Sequence, residues 1–214
     1  MAFVNLSDLG LATPINPTKE KILTVAIDLF STKGFSAVSI RDITRDVGIR
    51  ESSLYNHFRN KDDILDTIFV LFRAGYKKLT PPTEHLERIL TTMTPAEFLE
   101  YGTHLYMTLI NDPLMGKIWR IMNVEQYRDR RAREILLQDI IQGTLAFLEA
   151  AFETMIRLGS IPSHDPAILA SEYQYGVFAM ATEYNMLKFA NQDTSQIEQR
   201  LSTHVAYFLQ GLGA

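Results

Sequence analysis

The 214 residues include no cysteine. Disulfides, thiolate zinc sites and cysteine nucleophiles are thereby excluded, and a reducing compartment is expected. No stretch has the uninterrupted apolar length of a membrane span. The opening residues, MAFVNLSDLGLATPINP, lack a basic leading region and a long apolar segment, so no signal peptide is expected and the protein should be soluble and cytoplasmic. There is no convincing strand alternation, no internal repeat and no low-complexity segment. Recognisable catalytic patterns are missing too. The five histidines, His57, His85, His104, His164 and His204, form no His-Glu-x-x-His pair and no cluster with carboxylates at ligand spacing. There is no phosphate-cradling glycine loop and no Gly-x-Ser-x-Gly elbow. No catalytic residue, metal or cofactor is expected, and an enzyme is unsupported.

Nearly half the chain, 46%, is hydrophobic, enough for one large domain or a small one plus a medium one. The net charge of -4 argues at first against a nucleic-acid partner. Its distribution argues differently. Residues 18–78 carry 11 Lys and Arg against 8 Asp and Glu, whereas 79–214 carry 10 against 16. A mildly basic head on an acidic body is compatible with DNA binding, because the field near a duplex is set locally.

The periodicity is helical throughout. Residues 1–17 have no clear period and read as an arm. Thr18 is placed to cap a first helix with Ile22, Leu23, Val25, Ala26, Leu29 and Phe30 on one face, stopping at Lys33-Gly34. Ser39-Ile40-Arg41-Asp42 matches a capping box and opens a second helix, with Ile40, Ile43 and Val47 inward, that Gly48 breaks. Residues 50–57 form a third, with Leu54 and Phe58 inward. Asn60 and Asp63 cap a fourth that runs to about Leu79. Pro81-Pro82 is the clearest boundary. Beyond it, helices are predicted over about 84–92, 95–110, 114–122, 124–158, 166–190 and 195–212. The fold expected is all-α: a three-helix N-terminal helix-turn-helix domain over 18–78, its motif at about 39–58, and a larger helical bundle over 79–214.

A helix-turn-helix lays its second helix in the major groove while the first crosses the phosphate backbone. Ser39, at a helix N-terminus, suits a phosphate as well as a cap, and Lys61 adds charge at another. Arg41 is expected on the backbone side of the second helix. Tyr55 and His57 can hydrogen-bond phosphates; the lesser reading for Tyr55 is a partly core position, while for His57 a structural role stands level with phosphate contact. Arg50 can bond guanine O6 and N7 together, with Ser52, Ser53 and Asn56 as short polar readers. Glu51 repels phosphate yet can accept from cytosine N4, so it is either a specificity element or a solvent-facing residue.

Two C-terminal segments stand apart. Residues 168–189 are apolar or small nearly all round, and 197–212 carry a cleaner stripe. Together they can form half of an intermolecular four-helix bundle or simply complete the core of one chain. Because a helix-turn-helix usually works in pairs, a dimer is expected, with Tyr173, Val177, Tyr184, Leu201, Val205 and Phe208 at its interface. The Arg-rich start YRDRRARE, residues 127–134, is best explained by a solvated face or interhelical ion pairs.

Residues 18–76 resemble the N-terminal domain of the TetR family of bacterial transcriptional regulators. The resemblance rests on Ile22, Ala26, Leu29, Phe30, Gly34, Phe35, Ser39, Ile40, Ile43, Val47, Gly48, Ile49, Leu54, Tyr55, His57, Phe58, Lys61 and Leu65, and above all on the run SLYNHFRNKDDIL. It implies a homodimer on a palindromic double-stranded operator, usually a repressor released by a small ligand, at the nucleoid when bound. A ligand-independent DNA-binding module and an activator are the alternatives. The chain departs from the family pattern at Arg50, where a small hydroxyl residue is common. It departs also at Glu51, where negative charge is unusual, at Ser52, often Gly or Pro, and at Thr44, often Ala. By resemblance the body encloses an effector pocket, for which the candidates are His104, Met107, Trp119, Arg120, Tyr127, Phe152, Met155, Tyr175 and Phe178. Of these, His104 and Arg120 can orient a polar ligand group or serve structure alone.

Overall fold

The computed structural model describes residues 16–212. Those residues are helical, with no strand among them. The arm expected over 1–17 lies outside them except for its last two residues, and these supply a cap. Asn16 accepts a hydrogen bond from the Thr18 amide at 2.9 Å, and Pro17 takes the first helical position. The cap is therefore Asn16 rather than Thr18, since Pro17 has no amide hydrogen to leave unsatisfied.

The contacts divide the chain into two compact units. The first joins the residues up to Lys77 to Leu109–Leu137; the second joins Lys78–Thr108 to Gln138–Ala214. The first unit thus holds more than residues 18–78.

The first unit holds α1 (Pro17–Lys33), α2 (Ile40–Val47), α3 (Glu51–Leu54), α4 (Lys61–Tyr76), α7 (Pro113–Glu125) and α8 (Arg130–Glu134). Helix α1 is its centre, packing on α2, α4 and α7. Ile22, Leu23, Ala26, Ile27 and Phe30 are buried on α1, and Ile64, Leu65, Ile68 and Phe72 on α4. Each of these Ile, Leu and Phe side chains removed from water contributes about 1.5–3 kcal/mol, the Ala26 methyl less. Phe72 stacks on Trp119 of α7 at 5.9 Å between ring centroids and on Tyr76 at 6.0 Å.

Glycines end the first two helices. Gly34 has φ +81° but an extended ψ of 154°, so its positive φ favours glycine although it is not a left-handed helical cap. Gly48, at φ +79° and ψ +36°, is a left-handed cap whose amide bonds the Thr44 carbonyl at 2.9 Å.

The second unit is built from α5 (Leu86–Leu90), α9 (Gly143–Arg157), α10 (Pro166–Phe189), α11 (Ser195–Leu212) and most of α6 (Pro95–Asn111). Helix α9 packs on α5 and α10, and α10 packs on α11. Phe152 on α9 meets Phe208 on α11 at 5.8 Å, and Phe208 meets Tyr173 at 5.2 Å. The Tyr173 hydroxyl lies 2.6 Å from Thr103 Oγ1 and donates to the Leu99 carbonyl at 3.1 Å. Burial pushes this phenol up to about 12, against the opposing pull of its bond to Thr103.

One predicted boundary is corrected. The helix expected over 124–158 is interrupted: α7 runs on to Glu125, a turn follows, and Asp129 starts α8 by accepting from the Arg131 amide at 2.8 Å. From there to Arg157 the backbone stays helical through a π segment, Ile135–Gln142. By length and composition Arg130–Arg157 would suffice to cross a membrane, which the sequence did not lead one to expect. Within the second unit, however, α9 buries Leu148, Ala151, Phe152 and Met155 and packs on α5 and α10.

Candidate nucleic-acid interface

The predicted helix-turn-helix is the α2–turn–α3 segment, held from behind by Ile43, Val47, Leu54 and Phe58, which are buried. Ile40 and the turn residue Ile49 are only half-buried. The capping box at the start of α2 is complete. The Ser39 amide donates to Asp42 Oδ2 at 2.9 Å, the Ser39 hydroxyl donates to the same oxygen at 2.6 Å, and the Asp42 amide donates to Ser39 Oγ at 3.2 Å. These bonds from Ser39, aided by Arg45, hold the Asp42 carboxyl at about 2, below its ordinary 3.8. Ser39 is exposed, but its hydroxyl proton is already committed to Asp42.

The third helix is shorter than predicted. Glu51–Leu54 is α-helical, and Tyr55, Asn56 and His57 follow in consecutive turns. Arg50 stands at the cap position and makes no side-chain cap bond. Arg50, Ser52, Tyr55 and Asn56 are exposed, while Glu51, Ser53 and His57 are half-buried. Arg41 does not stand alone on the second helix. Its Nε–H donates to Glu51 Oε1 at 2.9 Å, so an ion pair joins α2 to α3.

Lys61 has a structural task that spacing did not show. Its ammonium donates to the Phe35 carbonyl at 2.9 Å and the Val38 carbonyl at 2.7 Å, and sits 4.2 Å from the centre of the Phe35 ring. An ammonium has three N–H donors. Two are used inside the protein, so one remains for a phosphate. The same turn is gripped from α7. The Phe35 amide donates to Oε1 of Glu125 at 3.0 Å, a carboxylate buried to 2% exposure. Glu125 escaped sequence reading because its partner is 90 residues away.

Two further ties run within the first unit. Lys117 on α7 pairs with Asp28 on α1 at 2.6 Å. Arg131 of the Arg-rich run binds Asp129 beside it and reaches α4, at 2.7 Å from Asp66 and 3.4 Å from Asp62, with its guanidinium 5.6 Å from the Phe69 ring. These carboxylates, Asp129 foremost, push the Arg131 guanidinium further above its ordinary value. Of the two explanations the sequence allowed for this run, the structure shows ion pairs at Arg131.

The residues singled out for an effector pocket are divided. Trp119, Arg120 and Tyr127 belong to the first unit; His104, Met107, Phe152, Met155, Tyr175 and Phe178 belong to the second. Trp119 is buried against Phe72, whereas Tyr127 is 85% exposed. Phe152 and Met155 are fully buried, His104 and Tyr175 are exposed, and Met107, Arg120 and Phe178 are half-buried. Among the described residues no group of His, Asp and Glu is placed to hold a metal ion.

The residues expected between two copies are mostly used within one. Tyr173, Val177, Tyr184, Leu201 and Val205 are buried inside the second unit, and Phe208 is half-buried there in contact with Phe152 and Tyr173. Helix α10 has a second apolar face that stays open. Ile168, Tyr175, Ala179 and Met186 are exposed and fall on one side of the helix, with Phe189 beside them. On α11, Tyr207 is 75% exposed and lines a shallow groove with Gln196, Gln199, Arg200, Thr203 and His204.

Residues 22–68 match the family described as bacterial regulatory proteins, tetR family. The HTH-type transcriptional repressor KstR2 of Mycolicibacterium smegmatis is 29% identical over 110 residues, 47% of this chain and 52% of that one. The alignment thus spans about half the length of that curated relative. Two solved structures share the fold. A SmeT complex with triclosan has a TM-score of 0.64 at 22% identity, covering 90% of this chain and 91% of that one. A regulator from Saccharomonospora viridis in complex with choline has a TM-score of 0.61 at 19% identity, covering 88% and 95%.

Proposed function

We propose, because residues 22–68 match the tetR family of bacterial regulatory proteins, that this chain is a sequence-specific transcriptional regulator, a homodimeric repressor that leaves a palindromic operator when a small, largely apolar ligand binds. The observation that carries this reading is the family's DNA-binding domain with its polar face open at Arg50, Ser52, Tyr55 and Asn56. Residues 18–78 read the operator, and residues 79–214 take the ligand and pair the subunits. A second copy is favoured by the exposed apolar side chains Ile168, Tyr175, Ala179 and Met186 on one side of α10, flanked by the exposed carboxylates Glu172 and Glu183, since apolar surface with a polar rim marks an interaction site. The two neighbours solved with triclosan and choline make a small-molecule signal the natural one to seek.

In the dimer, two recognition elements must sit about 34–36 Å apart to meet successive major grooves. A ligand that favours another separation lowers operator affinity, and operator must weaken that ligand by the same factor. Selection from a random duplex pool at fixed, near-physiological salt tests the core of the proposal. A two-fold palindrome is expected; no enrichment overturns it. Light scattering tests the pairing: the wild type should be a dimer, and Met186→Glu should give a folded monomer. The ligand is sought by thermal shift with apolar compounds and then titrated with and without operator. Equal affinities in the two titrations would overturn release by ligand.

A further inference from the structure

The ion pair between Arg41 and Glu51 carries more than stability. The Arg41 side chain is 85% exposed and that of the half-buried Glu51 45%, and a pair this open to solvent holds a fold together only weakly. Its position is the informative part. Glu51 is the first residue of α3, and base contacts in a helix-turn-helix come from the N-terminal residues of that element. A bare carboxylate there would be repelled by the phosphates on either side of the groove. Arg41 removes that objection. Its Nε–H holds Glu51 Oε1 at 2.9 Å, the two charges offset each other, and a side chain 85% exposed keeps the rest of the guanidinium accessible to a phosphate. Among the described residues the hydrogen bond that Glu51 accepts falls on Oε1, so Oε2 can take a donor from outside.

We propose that Glu51 reads a cytosine in the major groove, with Arg41 as its positioning residue and counter-charge. The inference rests on the regulator reading above. A carboxylate accepts and never donates. Guanine presents the acceptors O6 and N7, and thymine the acceptor O4, all of which repel it. Adenine offers its N6 amino group only beside the acceptor N7. Cytosine N4 alone offers a donor without a neighbouring acceptor on the same base. Negative charge at this position, unusual beside the family pattern, therefore becomes a selective element once Arg41 neutralises it.

The test uses the full-length dimer. Wild type, Glu51→Gln, Arg41→Ala and the double variant are each put through selection from a random duplex pool. Affinities are then measured on the wild-type operator and on versions with each half-site base exchanged. In the wild type one half-site position should demand cytosine. Glu51→Gln should lower that preference by about 5-fold or more, because its amide can also donate to purine N7, and should leave the other positions unchanged. Arg41→Ala should weaken all sequences and also relax the same position. In the Glu51→Gln background it should alter base preference no further. Melting temperatures close to wild type are expected for every variant, so a folding defect is visible as such. If Glu51→Gln keeps the wild-type pattern, or Arg41→Ala weakens every sequence with cytosine still demanded, the inference falls and the regulator reading stands. If the wild type itself enriches nothing, both fall.

Discussion

Replacing Glu125 by alanine should loosen the reader from a distance. The carboxylate is buried to 2% exposure and accepts from the Phe35 amide at 3.0 Å. A hydrogen bond to a charged group contributes about 1.5–3 kcal/mol, and a part-buried amide left without an acceptor costs about 1–3 kcal/mol in desolvation. Against this, alanine relieves the cost of keeping a carboxylate out of water, which for a lone buried charge is substantial. The expected balance is a loss of about 1–3 kcal/mol for Glu125→Ala. Glu125→Gln keeps an oxygen in the same place without the charge, so about half of that loss or less is expected. Urea denaturation followed by circular dichroism measures both, with the Phe35 amide resonance reporting the bond itself. Operator affinity should fall in the same order, because the turn leads directly into the α2 capping box. If Glu125→Gln is as damaging as Glu125→Ala, the charge rather than the acceptor holds the turn. If Glu125→Ala is more stable than wild type, the carboxylate strains the turn instead of holding it.

Other measurements follow from the same geometry. Lys61→Ala removes two carbonyl bonds and the contact with the Phe35 ring. It should destabilise the first unit by about 1–3 kcal/mol and also flatten the salt dependence of operator binding by about one phosphate contact; an unchanged salt slope would make its role purely structural. Asp42 is held at about 2 rather than 3.8. A depressed carboxyl contributes stability above its unfolded value that is lost as pH falls through the folded one, so Asp42→Asn should flatten the acid melting profile between about pH 4 and 2. A variant that follows the wild-type profile through that window would refute it. Tyr173→Phe deletes the hydroxyl that meets Thr103 and Leu99 and should cost the second unit about 1–2 kcal/mol, read by thermal melting; no loss would show those bonds to be balanced by solvent.

What the sequence disclosed was local. The Ser39–Asp42 box, the Gly48 break and the inward positions Ile43, Val47 and Leu54 are written within a few residues of one another, so capping chemistry and helical period find them. What it concealed was pairing across distance. Nothing near Trp119 says that it stacks on Phe72, and nothing near Glu125 points to Phe35. The turn after Glu125 did leave a trace in Asp129, a good cap, but the apolar period on either side masked it. Helix α10 shows a different limit. An all-round apolar helix announces that more than one face is covered, yet periodicity cannot say which face meets its own chain. Tyr173, Val177 and Tyr184 look no different in sequence from Ile168, Tyr175 and Met186. The acceptor role of Glu51 stayed ambiguous for a related reason, since its counter-charge Arg41 sits on another helix.

The discontinuity of the first unit bears on how the protein is made. Helices α1 to α4 leave the ribosome long before α7 and α8, yet Phe72 finds Trp119, Phe35 finds Glu125 and Asp66 finds Arg131 only when those later segments exist. Until residue 137 has emerged, the nascent reader displays apolar flanks of α1 and α4 that have no cover of their own. Such exposed surface invites chaperones and mispairing. A gene fragment ending after α4, which sequence alone would mark as a finished domain, ends in the middle of a fold.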